Sequence, residues 1–329
     1  MSEPFTIIGD TRELSREEWL SLRKTGIGGS DAGSIMGVSK WGSALSVWAD
    51  KRGLLPEKED NDDLAFGRRM EPVLREWFQD LLIDMGAETL VEEFPQMLRS
   101  TLYPHALVNL DGTIYVKSQG RGGLEIKTAD RSQAKLWRDD ELPDAYFYQV
   151  QHAMAATGWP FFYVFCLLGK KPIIRYVPRN DAAIADLMHA EARFWEMVQA
   201  NEMPAPSGLD CDDDVLSLLY QGGGEEEVRL DGHDAEMQSL VTIKAEIKGL
   251  QEDAAQIAQH LKLAMGNAKR GIGAGYHANW SRFPVNRLDG AALKRDLPEV
   301  AKRYTKESQG ERFTVAANGK KEKGENNED

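Results

Sequence analysis

Cysteine is scarce in this chain: its 329 residues include two, Cys166 and Cys211. That is too few for a disulfide framework or a four-thiolate metal site. No run approaches the ~20 consecutive apolar residues of a membrane-spanning helix. The opening MSEPFTIIGDTREL has no basic start followed by an apolar stretch, so no secretory signal is expected. A cytoplasmic protein with no membrane partner is the resulting expectation. Basic charge is also short, with 40 Lys and Arg against 53 Asp and Glu and a net charge of −13. Phosphate contacts need Lys and Arg, so broad wrapping of nucleic acid is disfavoured. A metal-dependent enzyme is disfavoured less, because bound divalent cations add positive charge where a polyanion enters.

What is present fits a large catalytic domain with an appendage. Apolar residues make up 42% of the chain, enough for an ordinary core. Ser15 and Glu18 form a capping box ahead of a helix over 15–24. Short helices are expected from Ser30 to Gly37 and from Ser43 to Arg52. Over 62–85, Met70, Leu74, Trp77, Phe78, Leu81, Leu82 and Met85 recur at helical spacing. Strand patterns follow at Glu88–Phe94, Ala106–Leu110, Thr113–Lys117 and Gly123–Thr128. A helix over 143–157, strands at Pro160–Leu168 and Pro172–Val177, and a helix over 180–200 complete an α/β pattern. The expected division is a catalytic domain over 1–205, an acidic and glycine-rich linker over 206–227, an extension over 228–317, and a disordered tail over 318–329. In the extension, Leu240, Ile243, Ile247, Leu250, Ala254, Ile257 and Leu261 form a heptad seam on a long helix. Tyr276–Phe283 and Arg312–Val315 read as strands, and Gly290–Tyr304 as a helix. This makes the extension a helical, α+β unit.

The chemistry-bearing stretch is Leu110-Asp111-Gly112, a hairpin, then Leu124-Glu125-Ile126-Lys127. Residues two apart on a strand share a face, so Glu125 and Lys127 project together. Asp111, at the end of an adjacent strand, can meet them. Two carboxylates with the Ile126 carbonyl suit Mg²⁺ or Mn²⁺, hard cations that prefer oxygen. The lysine beside them can orient or help deprotonate a metal-bound water and counter charge on a phosphate, which describes a phosphodiester-hydrolysing site. Chance occurrence on a solvated strand is the competing explanation of so short a motif. Glu71 leans toward the apolar face of its helix, which costs energy unless a metal or a lysine partners it. The turn carrying Gly28-Gly29-Ser30-Asp31 offers a second site. There the start of a helix, the Ser30 hydroxyl and the Arg23 fork could take a phosphate. Ser30 could equally be a plain helix cap.

Together these segments resemble the YqaJ-type viral recombinases, the lambda exonuclease branch of the PD-(D/E)XK nucleases. The resemblance is carried by Leu22-Arg23-Lys24-Thr25-Gly26-Ile27-Gly28-Gly29-Ser30-Asp31-Ala32, by Gly37-Val38-Ser39-Lys40-Trp41 and by Val47–Gly53. Gly67-Arg68-Arg69-Met70-Glu71-Pro72, Asp111-Gly112, Leu124–Thr128 and Tyr146–Gln151 continue it, all in the family's order over about residues 15–200. It implies a restriction-endonuclease-like core, a central mixed sheet flanked by helices. It further implies Asp111 and Glu125 as metal ligands, Lys127 as the catalytic lysine and Glu71 as a further acidic member. Gln149 and Tyr146 would support the site or contact DNA, and Arg23 and Ser30 would recognise a 5′-phosphate.

The implied activity is a two-metal type, Mg²⁺-dependent 5′→3′ exonuclease on linear double-stranded DNA. It would release 5′-mononucleotides and leave 3′ single strands for an annealing protein. The implied assembly is a ring-shaped homo-oligomer, a trimer, and the implied setting a phage or mobile element in a bacterial host. Four clustered cysteines are absent, which sets aside the related iron–sulfur nucleases. Leu110 stands where the superfamily motif has proline, and Ala153 where related branches often carry tyrosine. An endonuclease of the same fold, structure- or sequence-specific, and a noncatalytic DNA-binding assembly protein are the alternatives.

Overall fold

The computed structural model describes residues 3–56, 61–138, 140–220, 224, 227–306, 310 and 312–316. It contains two compact units, Met1–Gly224 and Glu225–Asp329. In chain order the first unit holds β1 (Phe5–Asp10), α1 (Arg16–Arg23), β2 (Ile27–Gly28), α2 (Gly29–Ile35), α3 (Ala44–Lys51) and α4 (Asp62–Asp84). Then come β3 (Thr89–Glu92), β4 (Gln96–Ser100), β5 (Ala106–Val108), β6 (Gly112–Val116), β7 (Gly120–Ala129) and a 3-10 helix (Arg131–Trp137). It closes with α5 (Asp144–Thr157), β8 (Phe161–Leu168), β9 (Lys171–Pro178), α6 (Asp181–Ala200) and α7 (Asp210–Leu219).

The central sheet has the order β3-β6-β7-β8-β9. It is mixed, as expected: β7 and β8 run parallel and the other neighbours antiparallel. Alternation along β8 explains why both faces are covered. Phe161 and Phe165 pack with Leu74, Phe78 and Leu82 of α4, and Leu124 and Ile126 of β7 join them. Phe162, Val164 and Cys166 face the opposite way, into the cluster of Val150 and Met154 from α5 and Leu187 from α6. The side chains of Glu125 and Lys127 therefore lie on the α5 side of β7. A smaller sheet, β1-β4-β5-β2, brings β5 to the chain segment leading into Asp111.

Local signals account for the helix boundaries. Ser15 and Glu18 make both bonds of the capping box at α1, and Ser43 caps α3. Gly158 takes a left-handed conformation, φ 72°, to end α5.

The segment expected as a linker over 206–227 is helical in part, as α7. Its acidic run suggested a solvated tether, but the buried Asp212 carboxylate accepts bonds from the Ser43 hydroxyl and the Ser207 backbone, and Val215 packs beside Leu45 and Trp48. Acidic residues also suit the positive end of a helix.

The second unit comprises α8 (Asp234–Met265), β10 (Arg270–Ile272), β11 (His277–Asn279), α9 (Gly290–Asp296) and α10 (Pro298–Tyr304). The long helix is present, and Ile243, Ile247, Leu250, Ile257 and Leu261 of its seam are exposed. The strand expected over Tyr276–Phe283 shrinks to β11, paired with β10. One helix expected over Gly290–Tyr304 is two, because Pro298 has no N–H to continue the ladder. Arg312–Val315 forms no strand. The tail over 318–329 lies outside the described residues. Among the described residues no helix is long and apolar enough to cross a membrane.

Two glycines of β7 permit the tight contact with β8. A Cβ on Gly123 would lie 2.1 Å from Phe162 Cζ, and one on Gly122 would lie 2.3 Å from Phe161 Cε2. Both rings are fully buried. Gly123→Ala is expected to lower the unfolding free energy by about 1–3 kcal/mol through overpacking. Urea unfolding measures this, and an unchanged midpoint would show that the strands have room to spare.

Candidate active site

The β6–β7 ladder ends at the pair Gly112↔Leu124. Beyond it the N–H of Ile126 has no β6 residue opposite, and the Asp111 carboxylate takes over as acceptor, Ile126 N to Oδ2 at 2.7 Å. This bond fixes the chain just before β6 against the middle of β7. One step either side of Ile126, Glu125 and Lys127 share a face as the alternation requires. The Lys127 Nζ is 2.6 Å from Glu125 Oε1. The same oxygen accepts from Gln149 Nε2 on α5 at 2.6 Å. Tyr146, one turn earlier on α5, places its ring 5.0 Å from the Lys127 ammonium. Hence Asp111, Glu125, Lys127, Gln149 and Tyr146 form one connected group.

Glu71 joins by a route that sequence reasoning missed. It pairs with Arg75, one turn later on α4, with Nη2 2.8 Å from Glu71 Oε1. Arg75 Nε also donates to the Asp111 carbonyl at 2.8 Å. A single guanidinium thus ties α4 to the turn that carries Asp111. The i, i+4 spacing of Glu71 and Arg75 was a readable signal for the pair.

Glu71, Asp111, Glu125 and Gln149 line one cavity of about 710 Å³, and Arg23 and Ser30 line it too. Arg23 Nη2 donates to Ser30 Oγ at 3.0 Å. Arg23 also lies over the Trp19 ring, 4.8 Å from its centroid. The two halves touch directly: a Cβ on Gly29 would lie 3.1 Å from the Gln149 carbonyl oxygen. The start of α2 is therefore seated on the turn of α5 that holds Glu125.

Charge is concentrated here. Burial pushes the Asp111 carboxyl well above its ordinary value of 3.8, and the neighbouring Glu125 and Glu71 push it further. Glu71 is raised as well, first by burial, with Arg75 opposing. Burial alone would lower the Lys127 ammonium, but Glu125 and Asp111 outweigh it, so its pKa is raised. Lys127 therefore stays a cation.

Among the described residues no three His, Cys, Asp or Glu side chains already converge to hold a metal ion. The donor chemistry nevertheless suits Mg²⁺ or Mn²⁺: four carboxylates, Glu71, Glu93, Asp111 and Glu125, line one cavity, and burial together with the Glu125 and Glu71 charges raises Asp111. The internal bonds engage Oδ2 of Asp111, Oε1 of Glu125 and Oε1 of Glu71, one oxygen of each carboxylate.

An acid whose folded pKa is raised binds its proton more tightly when folded. It costs stability once pH exceeds the unfolded value, and the cost grows until the folded value is passed. Asp111→Asn keeps an oxygen acceptor for Ile126 while removing the charge. The variant is expected to be more stable than the parent near neutral pH in a chelator, with the gain fading as pH falls toward the ordinary carboxylate range. Thermal unfolding at several pH values reads this directly, and a gain that grew on acidification would contradict it.

Comparison with known proteins identifies the relatives. Residues 18–160 match the model of the YqaJ-like viral recombinase domain. The protein YqaJ of Bacillus subtilis (strain 168) is 30% identical over 316 residues, covering 94% of this chain and 97% of that protein. Among solved structures, the alkaline exonuclease LHK-Exo from Laribacter hongkongensis superposes with a TM-score of 0.47 at 21% identity, covering 56% of this chain and 94% of its own. A phage related exonuclease from Haemophilus somnus 129PT gives 0.35 at 12% identity, covering 56% and 99%. On the strength of the domain match and of the similarity to YqaJ along nearly its whole length, this chain belongs to the YqaJ-like viral recombinase family.

Proposed function

We propose that the chain is a Mg²⁺-dependent exonuclease that degrades linear double-stranded DNA 5′→3′, releasing 5′-mononucleotides and leaving a 3′ strand for an annealing protein. Membership of the recombinase family supports a role in DNA recombination. The observation that carries it is the shared cavity, with carboxylates and a lysine on one wall and Arg23 and Ser30 on the other. An end-dependent enzyme needs a seat for the terminal phosphate beside the hydrolytic group, and the second wall offers one.

In this reading Asp111, Glu125 and the Ile126 carbonyl hold the metal, with Glu71 as an outer acidic member. Bound Mg²⁺ would supply Lewis acidity and an activated nucleophile. The chain's own groups do the rest. Lys127, kept protonated by Glu125 and Asp111, offsets charge on the attacked phosphate and donates a hydrogen bond to it. Gln149 holds the Glu125 carboxylate from the α5 side, and Tyr146 backs the ammonium. Arg75 keeps Glu71 and the Asp111 turn in register. Arg23 and Ser30 seat a terminal 5′-phosphate by charge-assisted hydrogen bonds. A ring-shaped trimer threaded by DNA is the assembly proposed with this activity.

Linear and closed circular duplexes of one sequence are the decisive substrates. With Mg²⁺, the linear duplex is expected to be shortened from its 5′ ends and the circle left intact. Equal cutting of both would establish an endonuclease instead. Lys127→Ala is expected to reduce the initial rate by at least about 10²-fold, the scale of lost transition-state charge stabilisation. Full activity in that variant would refute the assignment of the site.

A further inference from the structure

Beneath the Arg23–Ser30 wall lies an ion pair that the reaction itself does not use. Lys51 is the last residue of α3 and sits among the buried Leu45, Val47, Trp48 and Ala49 of that helix. Its side chain is 1% exposed. Such a buried ammonium needs partners, and it has two. Nζ is 2.7 Å from Asp31 Oδ2, and it donates to the backbone carbonyl of Arg23 at 3.0 Å. Asp31 Oδ2 in turn accepts the N–H of Gly28 at 2.9 Å. Lys51 therefore holds the end of α1, Asp31 holds the start of α2, and their contact binds the two chain segments together. Between these anchored points the Arg23 guanidinium reaches Ser30 Oγ at 3.0 Å.

Stability alone explains this arrangement poorly. A buried ion pair costs desolvation that its own attraction barely repays, and apolar replacements of such pairs are often neutral or better. What apolar residues cannot supply is the set of directed bonds to the Arg23 carbonyl and the Gly28 amide. Burial would raise the Asp31 carboxyl, but the nearby Lys51 and Arg23 cations outweigh it and hold Asp31 low, so the carboxylate stays charged.

We propose that Lys51 and Asp31 are positioning residues for recognition of the 5′-phosphate, fixing the Arg23 end of α1 against the Gly28 start of α2 so that guanidinium and hydroxyl are presented as a pair. The inference rests on the assignment of Arg23 and Ser30 as the phosphate-binding residues. It adds that the preference for phosphorylated ends is set one layer below them, by residues that never touch DNA.

The measurement is the ratio of initial rates on linear duplexes with 5′-phosphate and 5′-hydroxyl ends, using the full chain with Mg²⁺. A merely structural ion pair would change both rates together and leave the ratio alone. Lys51→Met combined with Asp31→Asn leaves no unpaired buried charge. It is expected to lower the ratio about tenfold, the scale of one misplaced charge-assisted hydrogen bond. Lys51→Arg, which keeps the cation, is expected to retain most of the preference. Should the double variant fail to fold, Lys51→Met alone replaces it, since it removes the more deeply buried charge and leaves Asp31 with the Arg23 cation nearby. The comparison enzyme is Arg23→Ala, expected to lose the preference altogether. If Arg23→Ala loses it while a folded Lys51 or Asp31 variant keeps the parental ratio, the positioning role is wrong. If the parent shows no preference, or Arg23→Ala leaves it unchanged, the underlying assignment of the phosphate wall fails instead.

Discussion

Carboxylates repel one another, and this fold crowds four of them, Glu71, Glu93, Asp111 and Glu125, around a single cavity. Three of them are restrained by donors on β7, α5 and α4. The Ile126 amide holds Asp111, Lys127 and Gln149 hold Glu125, and Arg75 holds Glu71. The compensation is incomplete, since Asp111 and Glu71 remain raised. A protein that needed only stability would have no reason to keep such a cluster. In the proposed function, positive charge arriving from outside would relieve the residual tension, which is how a site for a divalent cation and a polyanion would differ from an ordinary ion-pair network.

The geometry depends on where strands stop. Because the β6–β7 ladder ends at Leu124, the next free amide, that of Ile126, is available to a side chain. Because β7 pairs in parallel with β8, its following residues remain in a straight strand with Glu125 and Lys127 on the α5 side. The opposite face of the same residues is apolar, with Leu124 and Ile126 in the core shared with α4. One alternating strand thus supplies both the core and the chemistry. The second wall of the cavity is joined to the first by the close approach of Gly29 to Gln149.

Much of this was readable from sequence, for local reasons. Capping at Ser15 and Ser43, the glycine stop at Gly158 and the apolar stripe of α4 depend on neighbours within a few residues. The sharing of a face by Glu125 and Lys127 follows from strand geometry alone. What escaped depends on tertiary partners. β1 and β4 carry mixed, weakly alternating residues and become strands because they pair with each other. α7 hides in an acidic stretch whose Asp212 carboxylate accepts hydrogen bonds from the Ser43 hydroxyl, far away in sequence, and from the nearby Ser207 amide. Lys51 could have been suspected, since it closes a short helix whose other residues are mostly apolar. Its partners lie 20 and 28 positions away in sequence, and no periodicity points to them.

The bare backbone at Gly122 and Gly123 has an evolutionary consequence. Drift in the family can move most surface positions one at a time, but not these. Any side chain at 123 must be matched by a smaller neighbour at 162, and the same holds for 122 and 161. The two pairs are therefore expected to be inherited as units across related genomes. A homologue in which only one member had changed would mark a lineage where β7 and β8 have drawn apart, and with them the face that presents Glu125.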